Sequence, residues 1–484
     1  MTKKTARIST VKPLLATVIS ALVLTGCASN TEWLAEQSKV TPQAWSSVMP
    51  QLDAATLENN RNWWKAWSNE ELEALLKKAY EANTDILTAR ANLRTAAALA
   101  DDATAALFPT LGLSAQGSGS RRNNIDSESY QAQGSLSWSI SLAGGNIAAQ
   151  RAANYEAMAS AMTLEDTRIT VASEVAQNYV NLRLAYVKKR IAQMTLENYL
   201  QAHEIAKWNY DAGLSDSTEV EQAVSNVETA RAAIPSIDLA IVQYRNALAR
   251  LTGQSSVTLE VAESTTVPIA PMSLAVSVPA QTLKNRPDMR AAELSLVAAS
   301  DRVYEARSQW FPTLSITGNL GTQAATIGAL GASGTGIAAL IGALSMPIFN
   351  WGQQVTATEQ QLANLDRARA DYSATLLKAL EETENSLTMI SVSQRREAAL
   401  QAALVAAETA AELAMQQYRA GLTDYQTVLN TQRSLFSARE SWQSNKADLA
   451  TGLIDLYRAL GGGWSSSDRI NQTQQTSTQT GGQA

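Results

Sequence analysis

The chain has 484 residues, 45% hydrophobic but only 6% aromatic, with alanine dominating the apolar positions; alanine favours helix and buries little surface, so this composition does not describe a single compact core. A formal net charge of −6 without a long basic run gives no footing for nucleic-acid binding. A lone His203 offers neither a partner for a Ser or Cys nucleophile nor a zinc cluster, no glycine-rich phosphate loop follows a strand, and no catalysis is expected.

In chain order, Lys3, Lys4, Arg7 and Lys12 precede an apolar run from Leu14 to Leu24, which ends in Leu24-Thr25-Gly26-Cys27. Eleven residues are too few to span a bilayer as a helix, so residues 1–26 read as a signal peptide. The Leu-Thr-Gly-Cys end resembles the bacterial lipobox, which implies an N-acyl chain such as palmitate and a diacylglycerol on Cys27. A chance buried thiol would leave the position of the only cysteine unexplained. Ala28 rather than Asp follows it, which by resemblance to bacterial sorting rules implies the outer membrane. Loss of residues 1–26 removes four positive and no negative charges, taking the net charge from −6 to −10. Residues 27–67 read as a lipid-anchored N-terminal segment.

The rest of the chain repeats itself. Phe108-Pro109-Thr110 matches Phe311-Pro312-Thr313, Glu174 and Asn178 sit over Glu381 and Asn385, and "YDAGLSDSTEV" from Tyr210 matches "YRAGLTDYQTV" from Tyr418. Arg250 and Gly253 fall over Arg458 and Gly461. The spacing drifts only from 203 to 208, which predicts two structural repeats, 68–253 and 281–463, with the same elements in the same order. Each reads helix, two strands, very long helix, helix.

In the first repeat a helix stops at Phe108-Pro109, and strands are predicted near 109–118 and 130–141. Tyr130, Ala132, Gly134, Leu136, Trp138 and Ile140 alternate with Gln131, Gln133, Ser135, Ser137 and Ser139, one greasy face against one wet face. The second repeat predicts strands near 312–321 and 336–347, the last alternating poorly. About 10 to 12 residues suit a tilted membrane-crossing strand. Four strands cannot close a membrane barrel, so the strands must be pooled by an oligomer. Polar segments near 118–129 and 322–335 read as exterior loops.

Long helices are predicted at about 146–211 and 352–420, each roughly 100 Å at 1.5 Å per residue, followed by shorter ones at about 217–250 and 424–460. Apolar residues step by three and four, as in Ala172, Val175, Tyr179, Leu182, Tyr186 and in Leu376, Leu380, Thr383, Leu387, Ile390. The shorter helices do the same through Val220, Val224, Val227, Arg231, Ile234 and through Trp442, Lys446, Leu449, Leu453, Leu456, Leu460. That step means coiled-coil packing, with Arg231 and Lys446 snorkelling at the seam edge. Pro235 is expected to kink or interrupt its helix. Gly213 and Gly421 suit the left-handed position that ends a helix. Thr423 with Gln426 reads as a capping box, and Asp216 with Glu219 as a looser one.

Together with the lipobox, "NWWKAW", the paired "FPT" strand starts, "PIFNWGQQ" at 347–354, "YRAGLTDYQTVLNTQRSLFSARE" and "LYRALGGGW" resemble the TolC-like outer-membrane efflux proteins. The similarity is to the lipoprotein branch serving resistance-nodulation-division pumps, and it covers residues 27–464. The Pro-x-Tyr-x-x-Pro pattern common after the anchor in that branch is missing. The resemblance implies a mixed α/β membrane protein: a homotrimer whose twelve strands form a transmembrane β-barrel, continued by a periplasmic α-helical coiled-coil barrel. It implies a passive duct with a polar, negatively charged lumen, taking cargo from an inner-membrane RND-type pump through a periplasmic adaptor, in contact with outer-membrane lipids and without a cofactor beyond the Cys27 lipid. The adaptor would meet Gly213, Leu214, Ser215, Gly421, Leu422 and Thr423 at the periplasmic tip; Asp216, Asp424, Tyr418 and Arg419 are gate candidates. Residues 254–280, with Pro268, Pro271 and Pro279, would join the repeats around the tunnel's waist, and 464–484 reads as a disordered tail. A duct for polypeptides or metal ions is the alternative, though nothing clusters Met, His or Cys for a metal route. An envelope-bridging lipoprotein scaffold is a further reading, but it has no use for membrane-length alternating strands.

Overall fold

The computed structural model describes residues 63–462 apart from 66, 124, 260, 264–265, 269–282 and 284. The expected signal peptide, Cys27, nearly all of 27–67, most of the 254–280 connection and the 464–484 tail lie outside the described residues. The elements are α1 (Glu70–Ala82), α2 (Thr84–Ala105), β1 (Thr110–Arg122), β2 (Ile125–Ser141), α3 (Gly145–Asp211), α4 (Ser217–Leu251), α5 (Pro287–Ser308), β3 (Thr313–Ala324), β4 (Gly336–Ser345), α6 (Gln353–Arg419) and α7 (Tyr425–Ala459). Helices α2 and α5 each have 22 residues, α3 and α6 each 67, α4 and α7 each 35. The chain divides into two compact units. One holds Ala91–Met162 and Arg290–Thr375, and the other the described parts of Thr41–Arg90, Thr163–Met289 and Leu376–Ala484.

In the first unit the four strands form one antiparallel sheet in the order β1-β2-β3-β4. Trp138 Nε1 donates to the Leu107 carbonyl (3.0 Å), one of the carbonyls left free where α2 ends. The β1–β2 pairing runs without a break from Thr110↔Ser137 to Arg122↔Ile125. The exterior loop expected at 118–129 is therefore corrected: it is strand up to Arg122 and again from Ile125, with Asn123 after the first strand at φ 49°. Asparagine tolerates that left-handed conformation, which two-residue hairpins need, and a ribbon polar on both faces carries no apolar alternation to betray it. The second connection spans 325–335 and contains a 3₁₀ turn, Ile327–Ala329. Gly331 N–H donates to Thr322 Oγ1 (3.0 Å) and Gln323 N–H to the Thr335 carbonyl (2.9 Å). Core packing in this unit joins Leu296, Val303 and Leu365. Arg302 bridges Glu156 and Glu305, each at 3.0 Å.

The second unit buries the expected seams: Ala172, Val175, Tyr179, Leu182 and Tyr186 on α3 and Leu376, Thr383, Leu387 and Ile390 on α6, with Leu380 half-buried. Trp63 from the "NWWKAW" motif stacks on Tyr457 with centroids 5.1 Å apart. The α4 seam differs from expectation. Between Val220 and Ile234 the buried residues are Ala223 and Val227, Val224 is exposed, and Arg231 is exposed and pairs with Glu228 one turn back on its own helix. Lys446 is half-buried with its ammonium 3.3 Å from the centre of the Trp442 ring. Helix α4 runs through Pro235 without a break, so of the kink or interruption expected there the interruption does not occur. Pro235 and Arg231 are both exposed, so the carbonyl that the missing N–H would have satisfied can reach water.

Candidate channel wall and docking tips

The pairing registers sort every strand residue onto one of two faces. Leu111↔Leu136↔Gly318↔Leu340 and Leu113↔Gly134↔Leu320↔Ala338 are two successive rows of the apolar face. Its side chains point to solvent, with Leu113 89% and Leu340 78% exposed. A wide apolar face left open to the surroundings marks contact with lipid or protein. The opposite face carries Gln116↔Gln131↔Gln323 and Gly112↔Ser135↔Asn319↔Ala339. No charged side chain stands on this face between Thr110 and Ser120, Ser127 and Ser141, Thr313 and Gln323, or Gly336 and Ser345. The net charge of the chain reflects its helices rather than its strands. Of the strand charges, Arg121, Asp126 and Glu128 share the apolar face at the hairpin end, Arg121 and Asp126 directly opposite each other at 3.3 Å, and Arg122 falls in register with the polar face beside the turn. Strands β1 and β4 are the edges, each with one side unpaired by the chain.

The doubled turns close α3 and α6 in the same way. Gly213 (φ 72°) and Gly421 (φ 71°) are left-handed. Leu214 N–H donates to the Asn209 carbonyl and Leu422 N–H to the Gln417 carbonyl, both at 2.8 Å, while Gly213 and Gly421 donate to Tyr210 and Tyr418. This six-to-one, five-to-two pattern is the Schellman motif, in which glycine avoids the penalty a Cβ would incur. Leu214 (79%) and Leu422 (77%) then point into solvent, Ser215 and Thr423 being half-buried.

The caps correct one expectation. Asp424, not Thr423, starts α7: its Oδ1 accepts from Thr427 N–H (2.7 Å) and Thr427 Oγ1 (2.6 Å). Those two donors hold the Asp424 carboxyl below the ordinary range. A carboxylate is the stronger acceptor for the positive end of a helix, so it takes the cap from the neighbouring threonine. Asp216 caps α4 through Thr218 N–H (2.9 Å) and Glu219 N–H (3.3 Å), but Glu219 does not return the bond. Its carboxylate instead accepts from the Tyr418 hydroxyl.

Tyr418 is thus a buried tip residue and Arg419 an exposed one at the end of α6. Tyr418 lies 5.7 Å from Tyr425, ring to ring, in a cluster with Tyr199, Ala202, Ala206, Ala223, Val227, Val428 and Leu429. Burial, then the Glu219 bond, pushes the Tyr418 hydroxyl pKa up; burial raises that of Tyr425 to about 12. Sequence reasoning missed Asn209, Glu219 and Tyr425 as members of this tip. The signal for Tyr425 was present, since it stands where the first copy has Ser217.

The sequence profile of the family described as "Outer membrane efflux protein" matches the chain twice, over residues 75–254 and 278–462. The pyoverdine export outer membrane protein OpmQ of Pseudomonas aeruginosa is 30% identical, over 93% of this chain and 97% of its own. The cation efflux system protein CusC of Escherichia coli is 28% identical, over 92% and 97%. Among solved structures, the outer-membrane channel OprN superposes with a TM-score of 0.79 at 27% identity, over 88% of this chain and 98% of its own. With its greasy-and-wet sheet and long paired helices, the chain belongs to the outer membrane efflux protein family and is an efflux channel of the Gram-negative outer membrane.

Proposed function

We propose that three copies pool their strands into a twelve-stranded transmembrane barrel, continued by a periplasmic coiled-coil barrel, and that the internal tandem repeat makes this ring nearly six-fold. The observation that carries the reading is the four-stranded sheet with two unpaired edges, one apolar exposed face and one polar face. Open edges are not tolerated in lipid, so β4 of one copy pairs with β1 of the next. The polar face lines the lumen. Small molecules handed over by an inner-membrane RND-type pump and a periplasmic adaptor pass without chemistry on this chain. The adaptor seats on Gly213, Leu214, Ser215, Gly421, Leu422 and Thr423; Tyr418, Arg419, Asp216 and Asp424 belong to the gate. Cys27 carries the lipid that holds the chain to the outer membrane.

Deletion of the protein should raise retention of dyes and antibiotics; unchanged retention of every small molecule tested would remove the efflux assignment. Replacing Gly213 or Gly421 by a bulky residue should abolish efflux while trimers still assemble and reach the membrane. A C27S chain should lose acyl labelling. The relative CusC favours a second reading, a duct for cations, which the same deletion tests through cation tolerance. Among the described residues no group of three or more His, Cys, Asp or Glu offers a metal site along such a route.

A further inference from the structure

The polar face of the sheet has a composition that the duct reading does not itself require. Rings of like charge are the ordinary means by which a pore discriminates between cations and anions. Between Thr110 and Ser120, Ser127 and Ser141, Thr313 and Gln323, and Gly336 and Ser345 this face has none, its one charged position being Arg122 beside the hairpin turn, although Arg121, Asp126 and Glu128 show that the same strands carry charge freely on their other face. In its place stand hydroxyls and amides on β1, β2 and β3, and Ile337, Ala339, Ile341 and Ala343 on β4. The pairing registers set Gln116, Gln131 and Gln323 level with one another across three neighbouring strands. Gln131 Nε2 donates to Gln133 Oε1 (2.6 Å) and Gln323 Nε2 to Ser129 Oγ (3.0 Å), so these amides are held by neighbours on the wall.

We propose that Gln116, Gln131 and Gln323 form a neutral amide collar around the barrel lumen, and that this stretch of the wall, below Arg122, passes cargo without regard to its charge, through hydrogen bonding on β1–β3 and apolar contact on β4. The proposal rests on the reading of the polar face as the lumen. The cargo class it fits is amphiphilic: molecules with amide, hydroxyl or carbonyl groups and an apolar surface, of either net charge. An amide both donates and accepts, so the collar meets either kind of group on a passing molecule at little net cost. No fixed charge lies on the wall at the level of the collar, from Thr110 to Ser120 on β1, to trap an ion or repel one. The β4 strip gives each copy one apolar lane beside three polar ones.

The test uses the full-length protein in outer-membrane vesicles. Gln131→Cys introduces a thiol into a chain whose one native cysteine is Cys27; the unsubstituted protein is the blank, and Gln116→Cys is a second variant should the first assemble poorly. Labelling rates are measured with a cationic and an anionic methanethiosulfonate, and their ratio is normalised to that of a free thiol in solution. The expected result is a normalised ratio near one, which Gln323→Glu in the same background shifts several-fold toward the cationic reagent. A ratio that favours one charge tenfold or more without that substitution overturns the neutral collar while leaving the lumen reading intact. If neither cysteine reacts with either reagent while Leu113→Cys on the opposite face does, the lumen reading itself fails and the collar with it.

Discussion

Helix α2 begins after Asn83 and helix α5 after Arg286, and each of these residues holds the end of a 35-residue helix. Asn83 Nδ2 donates to the carbonyl of Leu251, the last residue of α4 (3.0 Å); Arg286 Nη1 donates to that of Ala459, the last residue of α7 (2.7 Å). Both side chains are buried, at 1% and 4% exposure. Asn83 also caps α2, its Oδ1 accepting from Asp85 N–H (2.9 Å) and Ile86 N–H (3.1 Å). A guanidinium has no acceptor, so in the second half that task moves to Asp288, which accepts from Met289 N–H (2.8 Å) and from Arg286 Nε (3.0 Å) and Nη2 (2.7 Å). Pro287 at the first helical position needs no partner for a missing N–H. The extra charge then draws in Glu382, which accepts from Arg286 (2.9 Å) and Arg458 (3.2 Å). One neutral amide joins two helices in the first half; four charged side chains, Arg286, Asp288, Glu382 and Arg458, do the joining in the second.

The largest expected effect comes from breaking the charged junction. Arg286→Met should cost about 3 kcal/mol, because Asp288 is left half-buried without its cation while Glu382 keeps only Arg458 and Lys378. Equilibrium denaturation checks this, and adding Glu382→Gln and Asp288→Asn should recover part of the loss. Asn83→Ala should cost less, about 1–2 kcal/mol, for one cap and one hydrogen bond. Asn83→Asp keeps the cap but loses the donor to Leu251, so it separates the two contributions.

The junctions should also differ in their response to pH. Asp166 on α3 faces the charged one, and its carboxyl is pushed up to about 6, chiefly by burial and then by Asp288 and Glu382, against the pull of Arg286 and Lys378. A folded pKa above the unfolded value means that the folded state holds the proton more tightly. Stability should therefore fall as pH rises from about 4 to about 6, the opposite of the usual carboxylate trend. Asp166→Asn should remove this fall and make the protein more stable at neutral pH, read as thermal midpoints across that range. A midpoint profile unchanged by the substitution would show that Asp166 titrates normally.

How much of this could be read from residue order follows from the range of each interaction. Helices α3 and α6 are written locally, in runs that lack proline and end at Gly213 and Gly421. The faces of β2 and β3 are equally local, because side chains alternate with a period of two. The Ser118–Arg122 half of the first hairpin was hidden because neither of its faces is apolar. Asp424 was hidden beside Thr423 because both are good caps, and only geometry decides between neighbours. The Asn83 and Arg286 junctions could not be seen at all: their partners lie 168 and 173 residues away. A polar residue between two helical runs looks like an ordinary turn.

The tips supply the finest version of the comparison, since Tyr210 and Tyr418 stand in near-identical local sequence and end in opposite surroundings. Tyr418 is 5% exposed, donates to Glu219 and accepts from Asn209 Nδ2 (3.3 Å); Tyr210 is 48% exposed. Tyr418→Phe should cost about 1 kcal/mol, because the half-buried Glu219 carboxylate loses its donor while the packing of the ring is kept. Tyr210→Phe should change stability by no more than about 0.5 kcal/mol, as surface substitutions do. Equal losses in thermal midpoint for the two variants would mean that Tyr210, too, finds a buried acceptor when the protein is assembled. The asymmetry would then belong to the single chain alone, and Tyr210 would mark a surface that assembly covers.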